Sequence, residues 1–199
     1  MTNSNTLFFE RVLGWTGILV EPGPVAFREL ALSRPLSQPL QIALGGAASA
    51  GEEEFVYGVG GNALCAQRGG IARALGDEGI QKMQDDCARL ERVPIRSLPL
   101  GQLLEERGWT DVDLLSLDLE GSELAALESV PWDRVSIKIL CIEDNEQCAG
   151  GGCTGRSQGS LVGQLLRSKG YRLVATIAQD IIFARQDWSA GQHTWSSQA

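Results

Sequence analysis

The sequence lacks several features that would narrow its function at once. No apolar run reaches the roughly 18 residues that a membrane-spanning helix needs, and the chain does not start with the basic-then-apolar pattern of a secretory signal. Basic residues are also few, since 17 Lys and Arg stand against 25 Asp and Glu, for a net charge of -8. Non-specific nucleic-acid binding needs a basic surface. We therefore expect a cytoplasmic enzyme or binding domain with no membrane segment and no nucleic-acid partner.

Histidine and cysteine are sparse as well. His193 is the one histidine, and its place in the last residues of the chain makes it a poor candidate for a general base. The five cysteines are an odd number, which argues against a disulfide scaffold and for a reducing compartment. Cys148 and Cys153 stand at the edge of zinc-binding spacing, but the sequence has no second Cys or His pair. We predict no metal site from these residues.

The remaining sequence alternates between short β-rich runs and helical patterns. Capping residues, prolines and glycines bound the helical patterns, which predict helices at 5–13, 24–34, 99–108, 122–130 and 160–170. Apolar runs predict strands at 16–21, 40–45, 89–97, 112–118, 136–145, 171–178 and 180–186. The last two strands have almost no linker between them and should form an antiparallel hairpin, in which Asp180 most simply serves the turn. Residues 46–70 are rich in Gly and Ala around one strand-like piece, "EEFVYGV", and indicate a hairpin or a mobile excursion. No helical pattern follows the glycines of "YGVGGNALC", which is interpreted as loop.

This alternation predicts one α/β domain over residues 1–187, followed by a disordered tail at 188–199. Strands that alternate with helices imply a doubly wound, mostly parallel sheet covered on both faces. Ligands bind such sheets at the carboxyl ends of the strands. Glu21 ends the first predicted strand, where an acid can accept hydrogen bonds from a ribose, although a solvated carboxylate explains it equally well.

A second acidic cluster follows the strand at 112–118. Asp118 ends an apolar run, where a buried carboxylate needs a partner such as a cationic ligand, a metal or a substrate hydroxyl. Glu123 stands at the start of a predicted helix and is best explained as a helix cap. Glu120 fits either role. Asp118 and Glu120, two positions apart in an extended segment, would point the same way and suit a metal or a general-base pair.

Several of these segments resemble one family of enzymes. The blocks "SNTLFFERVLGWTGILVEPGP", "VDLLSLDLEGSELAALESV" and "IKILCIEDN" occur in this order and are similar to the FkbM-type S-adenosylmethionine-dependent methyltransferases. The resemblance implies a class I methyltransferase fold with a C-terminal antiparallel hairpin, and O-methylation of a hydroxyl on a small molecule or sugar. It implies S-adenosylmethionine as cofactor, with Asn5, Glu21 and Asp118 as cofactor-binding candidates. Asp118 and Glu120 are the catalytic candidates.

The sequence departs from that family at its beginning. The family's first strand and G-x-N-x-G-like loop should stand just before "NSNTLFFE", where this chain has only "MT". In the family that strand lies between the strands at 16–21 and 112–118, which here should either pair directly or keep free edges. We therefore expect a truncated domain with weak or no activity. The alternatives are a non-catalytic binding protein that retains the fold, or a metal-dependent hydrolase using the acids at 118–123 and 143–144.

Overall fold

The structure is a computed structural model that describes residues 4–62, 65, 69–143 and 160–188. It divides into two compact units, of which unit 1 comprises Met1–Leu103 and Leu119–Ser129, and unit 2 comprises Leu104–Asp118 and Val130–Ala199. Among the described residues, no helix combines the length and the hydropathy that crossing a membrane requires. Some residues discussed above lie outside the described ones: Asp144, Cys148, Cys153, His193 and the predicted tail beyond Trp188.

Unit 1 begins with two helices and a pair of parallel strands. The elements are α1 (Leu7–Leu13), β1 (Gly17–Val20), α2 (Pro24–Ser33) and β2 (Ser37–Leu40). Helix α1 ends at Gly14, whose φ of 69° is the left-handed conformation that glycine adopts readily. Helix α2 begins with Pro24, which suits the first helical position because its missing N–H would be unpaired there. These bounds confirm the first two predicted helices and the strand between them.

A second sheet of unit 1 contains the longest strands of the described chain. Its order is β3-β6-β4-β5, from β3 (Ala43–Gly45), β4 (Gly51–Gly61), β5 (Gly69–Ile71) and β6 (Cys87–Pro99). Strands β3 and β6 are parallel, whereas β4 is antiparallel to both β6 and β5. Helix α3 (Ala72–Asp86) connects β5 to β6. Ala43, Phe55 and Ile95 form the buried cluster of this sheet.

This sheet confirms one part of the sequence prediction for residues 46–70 and corrects another. The strand-like piece "EEFVYGV" lies within β4, which pairs antiparallel with β5. The stretch "YGVGG", interpreted as loop, forms the second half of β4 and pairs with the first half of β6. Cross-strand pairs hold the two strands together, such as the hydrogen bond of 2.6 Å from the Tyr57 hydroxyl to Glu91. Helix α3 was also not predicted, because Gly76 interrupts its pattern with a non-helical φ of 61°. The glycine content of "YGVGG" indicated a loop, but pairing with the distant strand β6 makes this stretch part of a strand.

A disulfide joins Cys65 to Cys87 across this segment. Their Cα atoms are 5.0 Å apart, and 22 positions of sequence separate them. The sulfur atoms pack over Gly58 of β4, and a Cβ at that position would overlap both of them. The turn before the bridge is tied to α3 by Asn62, which donates through Nδ2 to Asp86 Oδ1 at 3.0 Å. The cysteine count did not predict this cross-link.

Unit 2 contains a four-stranded sheet in the order β7-β8-β10-β9. The strands are β7 (Asp111–Leu117), β8 (Ser136–Glu143), β9 (Tyr171–Ile177) and β10 (Asp180–Arg185). Strands β7 and β8 are parallel, and β10 is antiparallel to both β8 and β9, so the predicted C-terminal hairpin is confirmed. The buried core of the sheet is apolar and comprises Ile137, Leu140, Ile142, Ile181 and Phe183.

Three further helices complete the described elements. Helix α4 (Leu100–Glu106) follows β6, α5 (Glu123–Glu128) follows β7, and α6 (Leu161–Ser168) precedes β9. The fold is therefore mixed α/β, as the alternating pattern predicts. The single doubly wound, mostly parallel sheet is not confirmed, because the described strands form three sheets and only three of their pairings are parallel. The two longest strands, β4 and β6, pair antiparallel.

Candidate functional site

Three carboxylates share one edge of the unit 2 sheet, where its parallel strands end. Asp118 directly follows β7, and Glu143 is the last residue of β8. The parallel register pairs Leu117 with Ile142, which brings the following residues of both strands to the same edge. Strand β10 runs the other way and begins at this edge with Asp180, paired with Glu143. We call Asp118, Glu143 and Asp180 the carboxyl edge of unit 2.

The charges at this edge influence one another. Burial, and then the negative charge of Asp118, raise the pKa of Asp180 above its ordinary value of 3.8. Burial and the charge of Asp180 also raise the pKa of the Cys141 thiol. Gln179 donates a hydrogen bond of 2.8 Å from Nε2 to Oε1 of Glu143. The carboxyl edge is therefore a place of concentrated negative charge, able to hold a proton or attract a cation.

Asp118 differs from its predicted environment in one respect. The sequence indicated a buried carboxylate that needs a partner, but Asp118 is exposed because β7 ends one residue earlier, at the buried Leu117. Because the exposed carboxylate of Asp118 is not desolvated, desolvation no longer gives a reason to expect a bound partner. The position at the carboxyl end of a parallel strand is nevertheless the one predicted.

Asp180 is a residue that the sequence analysis did not select. The sequence suggested only a role in the turn between the last two strands. The predicted hairpin supplied part of the information needed to place Asp180. In a hairpin, the second strand begins at the same end of the sheet where the first strand finishes. The missing information was the strand order: β10, not β9, lies beside β8 and delivers Asp180 to the carboxyl edge.

Glu21 occupies the predicted position at the end of β1 in unit 1. Its amide donates to the Leu40 carbonyl at 3.1 Å and thereby extends the pairing of β1 with β2 by one residue. Its carboxylate oxygen Oε1 accepts a hydrogen bond of 2.7 Å from the Gly23 amide. A Cβ at residue 23 would lie 2.8 Å from that oxygen, so glycine is needed for this contact. The half-buried carboxylate is thus fixed beside the strand end.

Asn5 and Glu120, the other candidates in unit 1, are both exposed. Asn5 lies two residues before α1, whose N-cap Thr6 makes no side-chain cap bond. Glu120 has a φ of 53°, the left-handed conformation that a non-glycine residue adopts at an energetic cost. Glu123 is buried and does not cap α5 as predicted, because its carboxylate accepts hydrogen bonds from residues that precede the helix.

Comparison with known proteins identifies the family to which the chain belongs. The model of the methyltransferase FkbM domain matches residues 2–173, most of the 199-residue chain. The chain belongs to the FkbM methyltransferase domain family. No curated protein and no solved structure matches the chain significantly. The resemblance carried by the three sequence blocks is therefore confirmed, and the chain is a methyltransferase-family protein.

Two of the described strands, β1 and β7, have one strand neighbour each. Strand β1 has a single strand neighbour, β2, and β7 has a single strand neighbour, β8. The other edge of each has no strand partner among the described residues. Unpaired edges of this kind accept an additional strand readily.

Proposed function

We propose that this FkbM-family domain transfers a methyl group from S-adenosylmethionine to a hydroxyl oxygen of a small molecule or sugar. The observation that carries the proposal is the family match over residues 2–173. S-Adenosylmethionine supplies a methyl group on a positively charged sulfur. The chain's own residues have to bind that cofactor, orient the acceptor oxygen and accept its proton. The class I methyltransferase fold is part of the same proposal.

Glu21 is the candidate for the ribose of the cofactor. A carboxylate at a strand end can accept hydrogen bonds from both ribose hydroxyls. The Gly23 amide holds Oε1 of Glu21 at 2.7 Å, and the absence of a side chain at residue 23 leaves space for the carboxylate. A group fixed before the ligand arrives loses little conformational freedom on binding. These contacts support Glu21 as a preorganised acceptor, and Asn5 remains a second candidate.

Asp118 is the candidate for the proton of the acceptor hydroxyl. Methylation of a hydroxyl releases a proton, and a carboxylate within hydrogen-bond reach can accept it. Asp118 is exposed at the carboxyl end of β7 and is therefore open to a small-molecule acceptor. Burial first, and then the charge of Asp118, raise the pKa of Asp180. Glu120, also exposed, is the second candidate for a catalytic carboxylate.

Calorimetric titration of S-adenosylmethionine, and separately of its demethylated product, tests the proposal. If the proposal is right, both bind the parent chain, and Glu21→Ala weakens the binding of both about tenfold or more. The reason is that each hydrogen bond to a charged group contributes about 1.5–3 kcal/mol, and about 1.4 kcal/mol is a factor of ten in Kd. Glu29→Ala is the matched control, because Glu29 is an exposed acid on the neighbouring helix α2.

Two results would contradict the proposal in different ways. Equal affinity of the parent chain and Glu21→Ala would remove Glu21 from the cofactor site. No binding of either compound by the parent chain would reject the proposal for this chain and favour a non-catalytic binding protein of the same family. Activity that needs Mg²⁺ and no cofactor would instead favour the hydrolase alternative.

A further inference from the structure

The two cysteines of the Cys65–Cys87 bridge differ in their access to solvent. Cys65 is 3% exposed, whereas Cys87, the first residue of β6, is partly exposed. On the side of β4, both sulfur atoms pack over Gly58. Thiol–disulfide exchange begins when a thiolate attacks one sulfur of a disulfide, and its rate depends on which sulfur can be reached. A thiol in solution therefore reaches this bridge at Cys87.

An open groove of about 400 Å³ lies beside Cys87. The described residues that line it are Gln84, Cys87, Ala88, Arg89, Leu90 and Arg92. Its volume falls within the range of about 300–1,000 Å³ that small-molecule sites have in proteins. A small organic thiol can enter this groove and bring its sulfur to Cys87, whereas Cys65 is not among the described lining residues.

Two arginines favour negative charge in the groove. Arg89 and Arg92 are the charged residues of its described lining, and their side chains are 67% and 46% exposed. Arg89 donates a hydrogen bond of 2.7 Å to Glu91. Arg92 donates to Glu54. A guanidinium has five N–H donors, more than one carboxylate engages, so both arginines retain donors for a second anion. The groove therefore suits a thiol that carries carboxylates.

We propose that Cys87 is a modification site, at which a small carboxylate-bearing thiol opens the bridge and attaches as a mixed disulfide. The attacking sulfur bonds to Cys87 Sγ as the bond between Cys87 and Cys65 breaks. Cys65 leaves with the electron pair of that bond and takes up the proton that the attacking thiol lost. A second thiol molecule then attacks the adduct, which yields the Cys87 thiol and the disulfide of the small thiol. Opening removes the cross-link that closes residues 65–87, the segment with β5 and α3.

Two opposing effects determine which sulfur is attacked. Attack at Cys65 would release the thiolate of Cys87, and the more exposed thiolate is the better leaving group, because burial raises the pKa of a thiol. Access acts in the other direction, since Cys65 is almost completely buried. A sulfur that the thiolate does not reach does not react, so access decides in favour of Cys87.

Peptide mass spectrometry of the parent chain tests the site of attack. The chain is exposed briefly to reduced glutathione, a thiol with two carboxylates, then quenched in acid with N-ethylmaleimide and digested without reductant. We expect the glutathione adduct on Cys87 and the maleimide on Cys65. The reverse pattern would overturn the proposal. So would a parent chain that has no bridge before treatment, or a bridge that glutathione does not open.

The class of thiol is tested by the rate of opening with glutathione and with the neutral thiol 2-mercaptoethanol. We expect Arg89→Gln and Arg92→Gln to lower the rate constant for glutathione about two- to fivefold, the size of an exposed ion-pair interaction, and to leave that for 2-mercaptoethanol unchanged. Arg96→Gln is the matched control, because Arg96 is an exposed residue of the same strand and is not among the described lining residues. An unchanged ratio of the two rate constants in both groove variants would overturn the proposed preference for carboxylates.

Discussion

A buried ion pair connects the first helix of unit 1 to the end of the second. Arg34 Nε donates to Glu10 Oε2 at 2.7 Å, and each side chain is 2% exposed. The Ser37 hydroxyl and the Leu36 amide also donate to Glu10, and Arg34 donates to the Thr6 hydroxyl at 3.1 Å. These contacts supply the partners that a buried charge requires, because a buried charge without partners is costly.

Arg34→Met should be strongly destabilising, because it leaves the Glu10 carboxylate buried without its cation. Removing one partner of a buried pair costs about 3–5 kcal/mol. For a chain of this length each kcal/mol lowers Tm by about 2–4 °C, so we expect Tm to fall by about 10 °C. The double variant Glu10→Leu/Arg34→Met should regain most of the loss, since a well-packed apolar pair has no charge to desolvate.

Thermal unfolding followed by circular dichroism measures these changes. Arg28→Met is the matched control, because Arg28 is an exposed residue of α2 and its loss should shift Tm very little. A loss of less than about 2 °C in Arg34→Met would refute the reasoning, since it would mean that Glu10 finds water or another partner at no cost. Equal losses in Arg34→Met and in the double variant would show that packing, not charge, is what the pair provides.

The same pair sets a pH dependence. Burial alone would raise the pKa of Glu10, but hydrogen bonds from Ser37, Arg34 and the Leu36 amide hold that pKa below its ordinary value of 4.5. A depressed pKa means that the stabilisation is complete well above pH 4.5 and is lost as the pH falls through the folded value. The parent chain should therefore lose more Tm below about pH 4.5 than Glu10→Leu/Arg34→Met does.

Two further predictions concern the disulfide and the carboxyl edge. Reduction should lower the free energy of unfolding by about 3 kcal/mol, the chain-entropy value for a loop of about 20 residues, as measured with urea. Cys65→Ser should show no effect of reductant, and an equal effect in both chains would exclude the Cys65–Cys87 bridge. Asp180→Asn should raise Tm at pH 7 more than at pH 4, because a raised pKa makes the ionised carboxylate destabilising as the pH increases. The prediction for Asp180 fails if the gain in Tm is the same at both values.

Local patterns in the sequence were sufficient for most of the elements around the candidate residues. Proline at the start of α2 and glycine after α1 bound those helices as expected. The apolar runs of β7 and β8 gave both strands, and the short linker gave the C-terminal hairpin. Each of these signals lies within a few residues of the element that it specifies, which is why a single sequence reveals it.

The β4–β6 pair was missed because its stabilisation is non-local. Glycine-rich strands have little intrinsic preference for extended structure, and here the partner strand supplies the hydrogen bonds and the packing. The ion pair of Glu54 with Arg92 joins positions 38 residues apart. Cys65 and Cys87 are likewise distant in sequence. No pattern within either segment identifies the other.

The candidate residues show the same division between local and distant information. Glu21 and Asp118 stand at strand ends, which an apolar run followed by an acid reveals directly. Asp180 depends on the order of four strands, and the Gly23 contact of Glu21 depends on the conformation of a turn. The sequence thus predicted which acids stand at strand ends, but not which other residues contact or influence those acids.

The block from Asp118 to Glu123 shows why residue type alone could not assign roles. Its three acids have the same chemistry, yet Asp118 is exposed after a strand, Glu120 is exposed on a left-handed turn, and Glu123 is buried against backbone amides. The Glu123 carboxylate is 5% exposed and contacts the Leu119 and Gly121 amides, so it is shielded from a substrate in solution. The acid that the sequence most readily explained as structural is structural, but it supports the turn before the helix, not the helix itself. Asp118 and Glu120 are exposed, and they are therefore the two acids of this block that the proposed function assigns to catalysis.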